Sequence, residues 1–434
     1  MEKLDDILRS YTVSSDEATV KNKLLGAGFV VVDKNGIIYE GASGRLAFAP
    51  GSAPFTVNSL VWLASQGKLA TAVAFLQLVD QGHLTMEQDL RALMPELGAL
   101  EILRGFDDDQ DGKPILEPNT RPITLHHLLT HTLGLGYDIS VPDLMRWSRY
   151  VGRTAINLDW SQSGMTYPLL FAPGEGWEYG MAYDWAGAAL ERLTEQKLGG
   201  WMQNHIFTPL GMKRTGFWPE EILGKDGNEE GDQLLEFAFG AQDGILGAGP
   251  YPDGELRPGT SILRAKHEME SGGAGLFSTP HDYGLFLSGV LRSAYSSPSP
   301  SQAQPLLNPQ TLTQLWTPQL TPPQRAQLTS TVTGYQVGFA PELPLDGSVR
   351  LDFGMGGLMF LDDLPGKRRA GSVTWSGMGN GRWWLDPATG IAAAMFTDVL
   401  PHGNAVVNRM WEELERAVYS DLLPELKEKG VGAK

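Results

Sequence analysis

Strand-type patterns lie at the two ends of this 434-residue chain and helical ones fill its middle, and that distribution limits the fold more than any other feature. Near the N terminus, Gly28-Phe29-Val30-Val31-Val32 and Ile37-Ile38-Tyr39-Glu40-Gly41 flank Asp33-Lys34-Asn35-Gly36. Two β-branched runs around Asn-Gly predict a tight hairpin, because both central positions of such a turn favour positive φ. Strand-like pieces return at Thr333–Phe339, Ser372–Trp375, Gly381–Leu385 and Ile391–Asp398. Helical periodicity predicts helices over Ser65–Gln81, Ile123–Thr130, Ala182–Glu195, Leu198–Phe207, His281–Arg292 and Ala405–Leu422, the first of them stopped by Gly82. One α/β sheet domain built from both ends, with a helical insertion in its middle, accommodates this order. Ser296–Pro305 is low in complexity and reads as an exposed loop or linker.

Length alone suggests two or three units and ample material for a core. Hydrophobic residues at 42% and charged residues at 20% fit a globular chain. Lys plus Arg is 34 and Asp plus Glu is 51, a balance of −17. A surface so acidic repels phosphate backbones and anionic headgroups, so neither nucleic acid nor membrane is an expected partner. The absence of cysteine excludes thiol nucleophiles, zinc-thiolate sites and disulfides. No apolar run approaches the length of a membrane span, and the opening segment Met1–Leu24 has no apolar core of the secretory kind, so a cytoplasmic setting is expected. Oligomeric state is left open.

Ser65-Gln66-Gly67-Lys68 carries the sharpest chemical signal. On a helix, positions three apart share a face, so the Lys68 ammonium can reach the Ser65 hydroxyl, and the free N–H groups of a first turn add anion-stabilising dipoles. Such a pair activates serine without histidine. The same four residues also fit a capping serine followed by a solvated lysine. His127 and His131 stand four apart, as in a zinc helix, but the glutamate that should follow the first is missing, so structural histidines are expected and no metal. Asp107-Asp108-Asp109-Gln110-Asp111-Gly112 begins like a calcium loop, yet its twelfth position is Pro118, so an acidic turn is expected. No G-x-S-x-G, Walker or dinucleotide motif occurs.

Beyond S-x-x-K, the run Leu63–Gly82 closely resembles the nucleophile helix of the serine β-lactamase-related family, which includes class C β-lactamases, DD-peptidases, family VIII carboxylesterases and lovastatin-type acyltransferases. Four more blocks match in order: Ile123–Tyr137, Pro173–Tyr179, Ile206–Met212 and Gly272–Thr279. The resemblance covers about residues 4 to 420. It implies an α/β fold of two parts: residues 1–83 with 291–434, an antiparallel sheet flanked by helices, and residues 84–290, a mostly helical domain, with the active site between them. It also implies Ser65 as nucleophile, Lys68 as its partner and Tyr179 as general base and acid. A cation beside a phenol favours phenolate, which proton abstraction near neutrality needs. Tyr137 matches a second tyrosine near the nucleophile in the esterase and acyltransferase branches; packing alone would also explain it.

Two positions depart from the penicillin-recognising pattern. Met181 replaces an asparagine that binds the β-lactam side-chain amide, and Trp375-Ser376-Gly377 replaces Lys-Thr-Gly, whose cation holds a carboxylate. Tryptophan offers an apolar wall instead, so neutral or hydrophobic esters are expected as substrates. The implied oxyanion hole is the backbone N–H of Ser65 with that of Met378, and Gly377 lets the strand approach closely. Trp383 and Trp384 are expected near the acyl pocket. The blocks Gly354–Leu358 and Leu364–Arg369 resemble acyltransferase-like members in particular. The expected activity is that of a serine carboxylesterase or transesterase working through an acyl-enzyme, with a small-molecule ester as partner, with or without an acceptor alcohol, and no cofactor. A β-lactamase or DD-peptidase-type hydrolase and a catalytically inactive binding homologue are the alternatives.

Overall fold

The hairpin forms where the β-branched runs place it. A computed structural model describes residues 1–224, 234–241, 251, 253–259, 267–294, 305–343 and 347–428. Helix α1 (Glu2–Tyr11) is followed by strands β1 (Gly26–Asp33) and β2 (Gly36–Gly44), joined through Lys34 and Asn35. The turn is held differently from the expectation. Gly36 is left-handed at φ 146°, Asn35 is not, and the Asp33 carboxylate accepts from the N–H groups of Asn35 (2.7 Å) and Gly36 (3.2 Å), so an Asx-type turn replaces positive φ at two central positions.

The buried helix α2 (Lys68–Asp80) ends as predicted. Gly82 at φ 76° lets its own N–H reach the Val79 carbonyl and that of His83 reach the Leu78 carbonyl, a complete Schellman cap. Helices α3 (Ala182–Thr194), α4 (Pro280–Arg292) and α5 (Pro322–Gly334) follow, then strands β3 (Leu351–Gly354), β4 (Gly357–Phe360), β5 (Val373–Ser376), β6 (Arg382–Asp386) and β7 (Ile391–Phe396), and helix α6 (Ala405–Ala417).

The seven strands make one antiparallel sheet in the order β3-β4-β5-β6-β7-β1-β2, so the two ends of the chain meet where β7 pairs with β1. Phe29 and Val30 point to opposite faces. Phe29 lies 6.0 Å from Trp384, which packs edge-on against Trp411 of α6, while Val30 faces Gly284 of α4. Helices therefore cover both faces, and all eight residues of β1 are buried. That is why its sequence is a continuous apolar run and not an alternating one.

Thr333–Phe339 is not a strand: α5 runs to Gly334 and a short helix covers Gln336–Phe339. Pro at its first turn and the Gln324 side chain bonded to the Thr321 N–H (2.8 Å) start α5, and the hydroxyls of Thr329 and Thr333 bond back to carbonyls four residues earlier. Local hydrogen bonding thus satisfies the β-branched threonines inside a helix. The middle segment is not all helix either. Glu101–Asp107 and Lys113–Pro118 pair as a hairpin, and the acidic stretch from Asp107 is its turn, with the Asp107 carboxylate accepting from the Asp109 N–H. The tract Ser296–Pro305 lies, all but its last residue, outside the described residues. Among the described residues no helix is long and apolar enough to cross a membrane.

Candidate active site

Ser65 sits not on α2 itself but in the 3-10 turn Ala64–Gly67 that leads into it. Ala64 is left-handed at φ 47°, a conformation an alanine holds only where its surroundings impose it. Lys68, the first residue of α2, donates to Ser65 Oγ at 2.9 Å, to the Gly273 carbonyl at 2.7 Å and to Tyr137 Oη at 3.3 Å. Its three hydrogens are all engaged and the side chain is 1% exposed, so it is not the solvated lysine of the alternative reading.

Tyr179 reaches the same oxygen from the middle segment. Its hydroxyl donates to Ser65 Oγ at 2.7 Å and accepts from Trp375 Nε1 at 3.1 Å. The next residue must be glycine for this approach, since a Cβ at Gly180 would stand 2.2 Å from the Leu135 carbonyl oxygen. The Tyr179 ring is fixed by edge-on contacts with His131 (4.8 Å), Trp375 (4.9 Å), Tyr137 (5.3 Å) and Phe339 (5.6 Å), and Lys68 Nζ lies 5.0 Å from its centroid. Burial, then the neighbouring Tyr179, pushes the Tyr137 phenol well above its ordinary range, so Tyr137 stays neutral.

The two histidines have structural places. Thr124 and His127 cap the start of helix Leu125–Leu129 reciprocally, and burial holds the His127 imidazole down to about 4. His131, left-handed at φ 59°, is buried among Trp177, Tyr179, Tyr183 and Phe353, and burial and then Lys68 hold it well below 6.5. Its carbonyl accepts the Glu178 N–H, which orients the extended loop that presents Tyr179. No group of three or more His, Asp or Glu side chains among the described residues is arranged to hold a metal.

Ser65 and Tyr179 open on a cavity of ≈ 650 Å³, whose wall also includes Tyr137, Met181, Ser376, Gly377 and Met378. Three tryptophans fall elsewhere than expected. Trp375 is 2% exposed and absent from the lining: its ring stacks on Phe339, which does line the cavity, and its indole N–H holds Tyr179. Trp383 and Trp384 are fully buried in the sheet, because neighbouring strand residues point to opposite faces and both faces are covered by protein. A Cβ at Gly377 would come 2.3 Å from the Leu63 carbonyl oxygen, just before the turn that carries Ser65. Gly377→Ala must therefore push β5 away from Ser65, and a displacement near 1 Å lowers kcat/KM about 10²-fold, measured against an activated ester.

Sequence reasoning missed Asp184 and Ser271. Asp184 is buried, accepts from Ser271 Oγ and from the Gly273 N–H, and so fixes the segment whose carbonyl binds Lys68. Burial raises its carboxyl above the usual range, opposed by the Lys68 cation. The Gly272-Gly273 block was visible, but nothing local ties it to Lys68, 205 positions earlier.

Known proteins share this arrangement of chain. Lovastatin esterase of Penicillium rubens is 32% identical over 380 residues, covering 84% of this chain and 86% of that one. Monacolin J acid methylbutanoyltransferase of Aspergillus terreus is 31% identical over 371 residues, covering 85% and 83%. A mutant simvastatin synthase from Aspergillus terreus superposes with a TM-score of 0.81 at 27% identity, over 96% of this chain and 94% of that one. The relatives are thus an esterase and acyltransferases on one fold. The model described as Beta-lactamase matches residues 9–415, nearly the whole length, and the chain belongs to that family.

Proposed function

We propose that this protein is a serine acyl-transfer enzyme, a carboxylesterase or transesterase of neutral or hydrophobic esters. The observation that carries the reading is the convergence of Lys68 Nζ (2.9 Å) and Tyr179 Oη (2.7 Å) on one serine oxygen at the wall of a cavity. Tyr179, as phenolate, takes the Ser65 proton while Oγ bonds to the ester carbonyl carbon. Lys68 Nζ lies 5.0 Å from the ring centroid, and the Trp375 indole N–H donates to the phenol oxygen at 3.1 Å. The carbonyl oxygen becomes an oxyanion held by the N–H groups of Ser65 and Met378. Its collapse breaks the bond to the alcohol oxygen, which leaves with the proton from Tyr179. Water or an acceptor alcohol then gives its proton to Tyr179 and attacks the acyl carbon, and that proton passes on to Ser65 Oγ as its bond to the acyl group breaks, which restores both residues.

The two-part division, residues 1–83 with 291–434 against 84–290, belongs to the same proposal. Its support is that both parts line the one cavity, Ser65, Ser376 and Met378 from the first and Tyr137, Trp160 and Tyr179 from the second. Helix α4, which packs on β1, spans the second boundary and goes with the sheet.

Intact-mass and peptide mapping after brief exposure to p-nitrophenyl butyrate test the reading. An added butyryl group on the peptide containing Ser65, absent in Ser65→Ala and discharged faster when an acceptor alcohol is present, is expected of a transesterase; discharge indifferent to alcohol is expected of an esterase. A wild-type protein that forms no adduct and releases no p-nitrophenol would leave only a binding role.

A further inference from the structure

The cavity wall has an uneven charge. None of its lining residues among the described ones is lysine or arginine, whereas two are carboxylates, Glu178 and Asp184. Asp184 is committed to Ser271 and Gly273 beneath the Lys68 site. Glu178 has no such commitment. Its N–H is bound to the His131 carbonyl and its Cγ lies against Gly136, where a Cβ would meet it at 3.3 Å. Its carboxylate has no hydrogen bond or ion pair among the described residues, and burial alone lifts it to about 7.

The other titratable groups of the wall supply no compensating charge. Burial holds His402 down to about 3, with Arg382 adding to the effect, so its imidazole is neutral. Burial likewise raises the Tyr137 and Tyr335 phenols, which stay protonated. The same wall also includes the aromatic side chains of Trp62, Trp160, Tyr335 and Phe339. Aromatic side chains and a half-buried carboxylate, in a wall without lysine or arginine, are the chemistry that holds an alkylammonium group. The net charge of −17 adds a field that draws cations toward the protein.

We infer that Glu178 is a specificity-determining residue, selecting esters whose acyl chain or alcohol carries a cationic amine or quaternary ammonium over their neutral isosteres and over carboxylates. This rests on the serine acyl-transfer reading and changes its preferred substrate from neutral or hydrophobic esters to cationic ones, the neutral esters remaining turned over more slowly. It also goes beyond the apolar wall expected from Trp375, because the selecting group is acidic and sits one residue before Tyr179.

Two series of matched esters separate the sources of charge. In one, butyrylcholine is compared with the ester whose quaternary nitrogen is replaced by carbon. In the other, p-nitrophenyl esters carry a trimethylammonio-butanoyl chain, its carbon isostere, or a glutarate half-acid. At about pH 8 the wild type is expected to favour the cation over the isostere by about tenfold or more in kcat/KM in at least one series, with glutarate poorest. Glu178→Gln is expected to bring that ratio to within about threefold of unity and Glu178→Asp to keep most of it. The ratio is read within each variant, so a loss of folded protein cancels. An equal ratio in wild type and Glu178→Gln, or no preference for cation in either wild-type series, overturns the inference. If the neutral esters turn over normally in that case, only the role of Glu178 has failed; if they form no adduct on Ser65, the acyl-transfer reading has failed with it.

Discussion

Tyr179→Phe is expected to lower kcat/KM for a neutral ester by about 10²–10⁴-fold, the usual contribution of a positioned general acid–base, equivalent to about 3–5 kcal/mol of transition-state stabilisation. The substitution is unusually clean. Every packing contact of Tyr179 with His131, Tyr137, Phe339 and Trp375 is made by the ring, which phenylalanine retains. Lost are only the oxygen 2.7 Å from Ser65 Oγ and the acceptor for the Trp375 indole N–H. The second loss leaves a buried donor unsatisfied, which costs roughly 1–3 kcal/mol of stability and is read separately from urea unfolding. Trp375→Phe supplies the control: it removes that donor, keeps the Tyr179 hydroxyl, and is expected to reduce turnover by only about tenfold. Near-normal ester turnover by Tyr179→Phe would falsify its assignment as base, and Lys68, 2.9 Å from the serine oxygen, would then have to abstract the proton itself.

Arg368→Met is expected to cost about 3–5 kcal/mol of folding stability, the consequence of removing one partner from a buried ion pair. Arg368 is completely buried between β4 and β5 in the chain, its Nε donating to Glu415 of α6 at 2.8 Å and its Nη2 lying 3.2 Å from Glu342. Both carboxylates are buried too, so the variant leaves Glu415 without the arginine it is paired with and Glu342 with only the neighbouring Arg382 charge. Trp384 and Trp411, 5.3 and 5.9 Å from the guanidinium, report the change by fluorescence in urea unfolding. Adding Glu415→Gln should recover part of the loss. A loss under about 1 kcal/mol would mean that the carboxylates are protonated or hydrated once the arginine is gone. The triad also bears on the site: Glu342 lies three residues beyond Phe339, whose ring stacks on Trp375 at 5.3 Å behind Tyr179. Loosening it should lower kcat before the protein unfolds.

The legible parts of the molecule were those whose causes are local. The β1–β2 hairpin, the Gly82 cap of α2 and the 3-residue spacing of Ser65 and Lys68 are each set by neighbours within a few positions. Tyr179 was recognisable only because a family pattern surrounds it, since nothing in Glu178-Tyr179-Gly180 points to a serine 114 positions away. Misreadings arose where hydrogen bonds, local or tertiary, outweighed composition. Thr333–Phe339 has strand-like composition, but proline at the helix start and back-bonding threonines keep it helical. Trp375 was legible as a replacement for a cation and not as a hydrogen-bond donor to Tyr179, because strand register decides which way an indole points.

By itself the sequence showed which groups are at hand: no thiol, a serine with a lysine three residues on, and a tyrosine in a block that resembles the family's. The strand-type runs also pointed to one sheet assembled from both ends of the chain, while its antiparallel order was implied only by the family resemblance. Tertiary structure alone decided what surrounds that chemistry. It brought Gly273 to Lys68, placed Trp375 behind Tyr179 and not in the cavity, buried Arg368 between two carboxylates, and left Glu178 facing the cavity without a cation. Those outcomes depend on contacts between residues tens to hundreds of positions apart, and the burial that sets their electrostatics exists only once the sheet and the helices have closed around them.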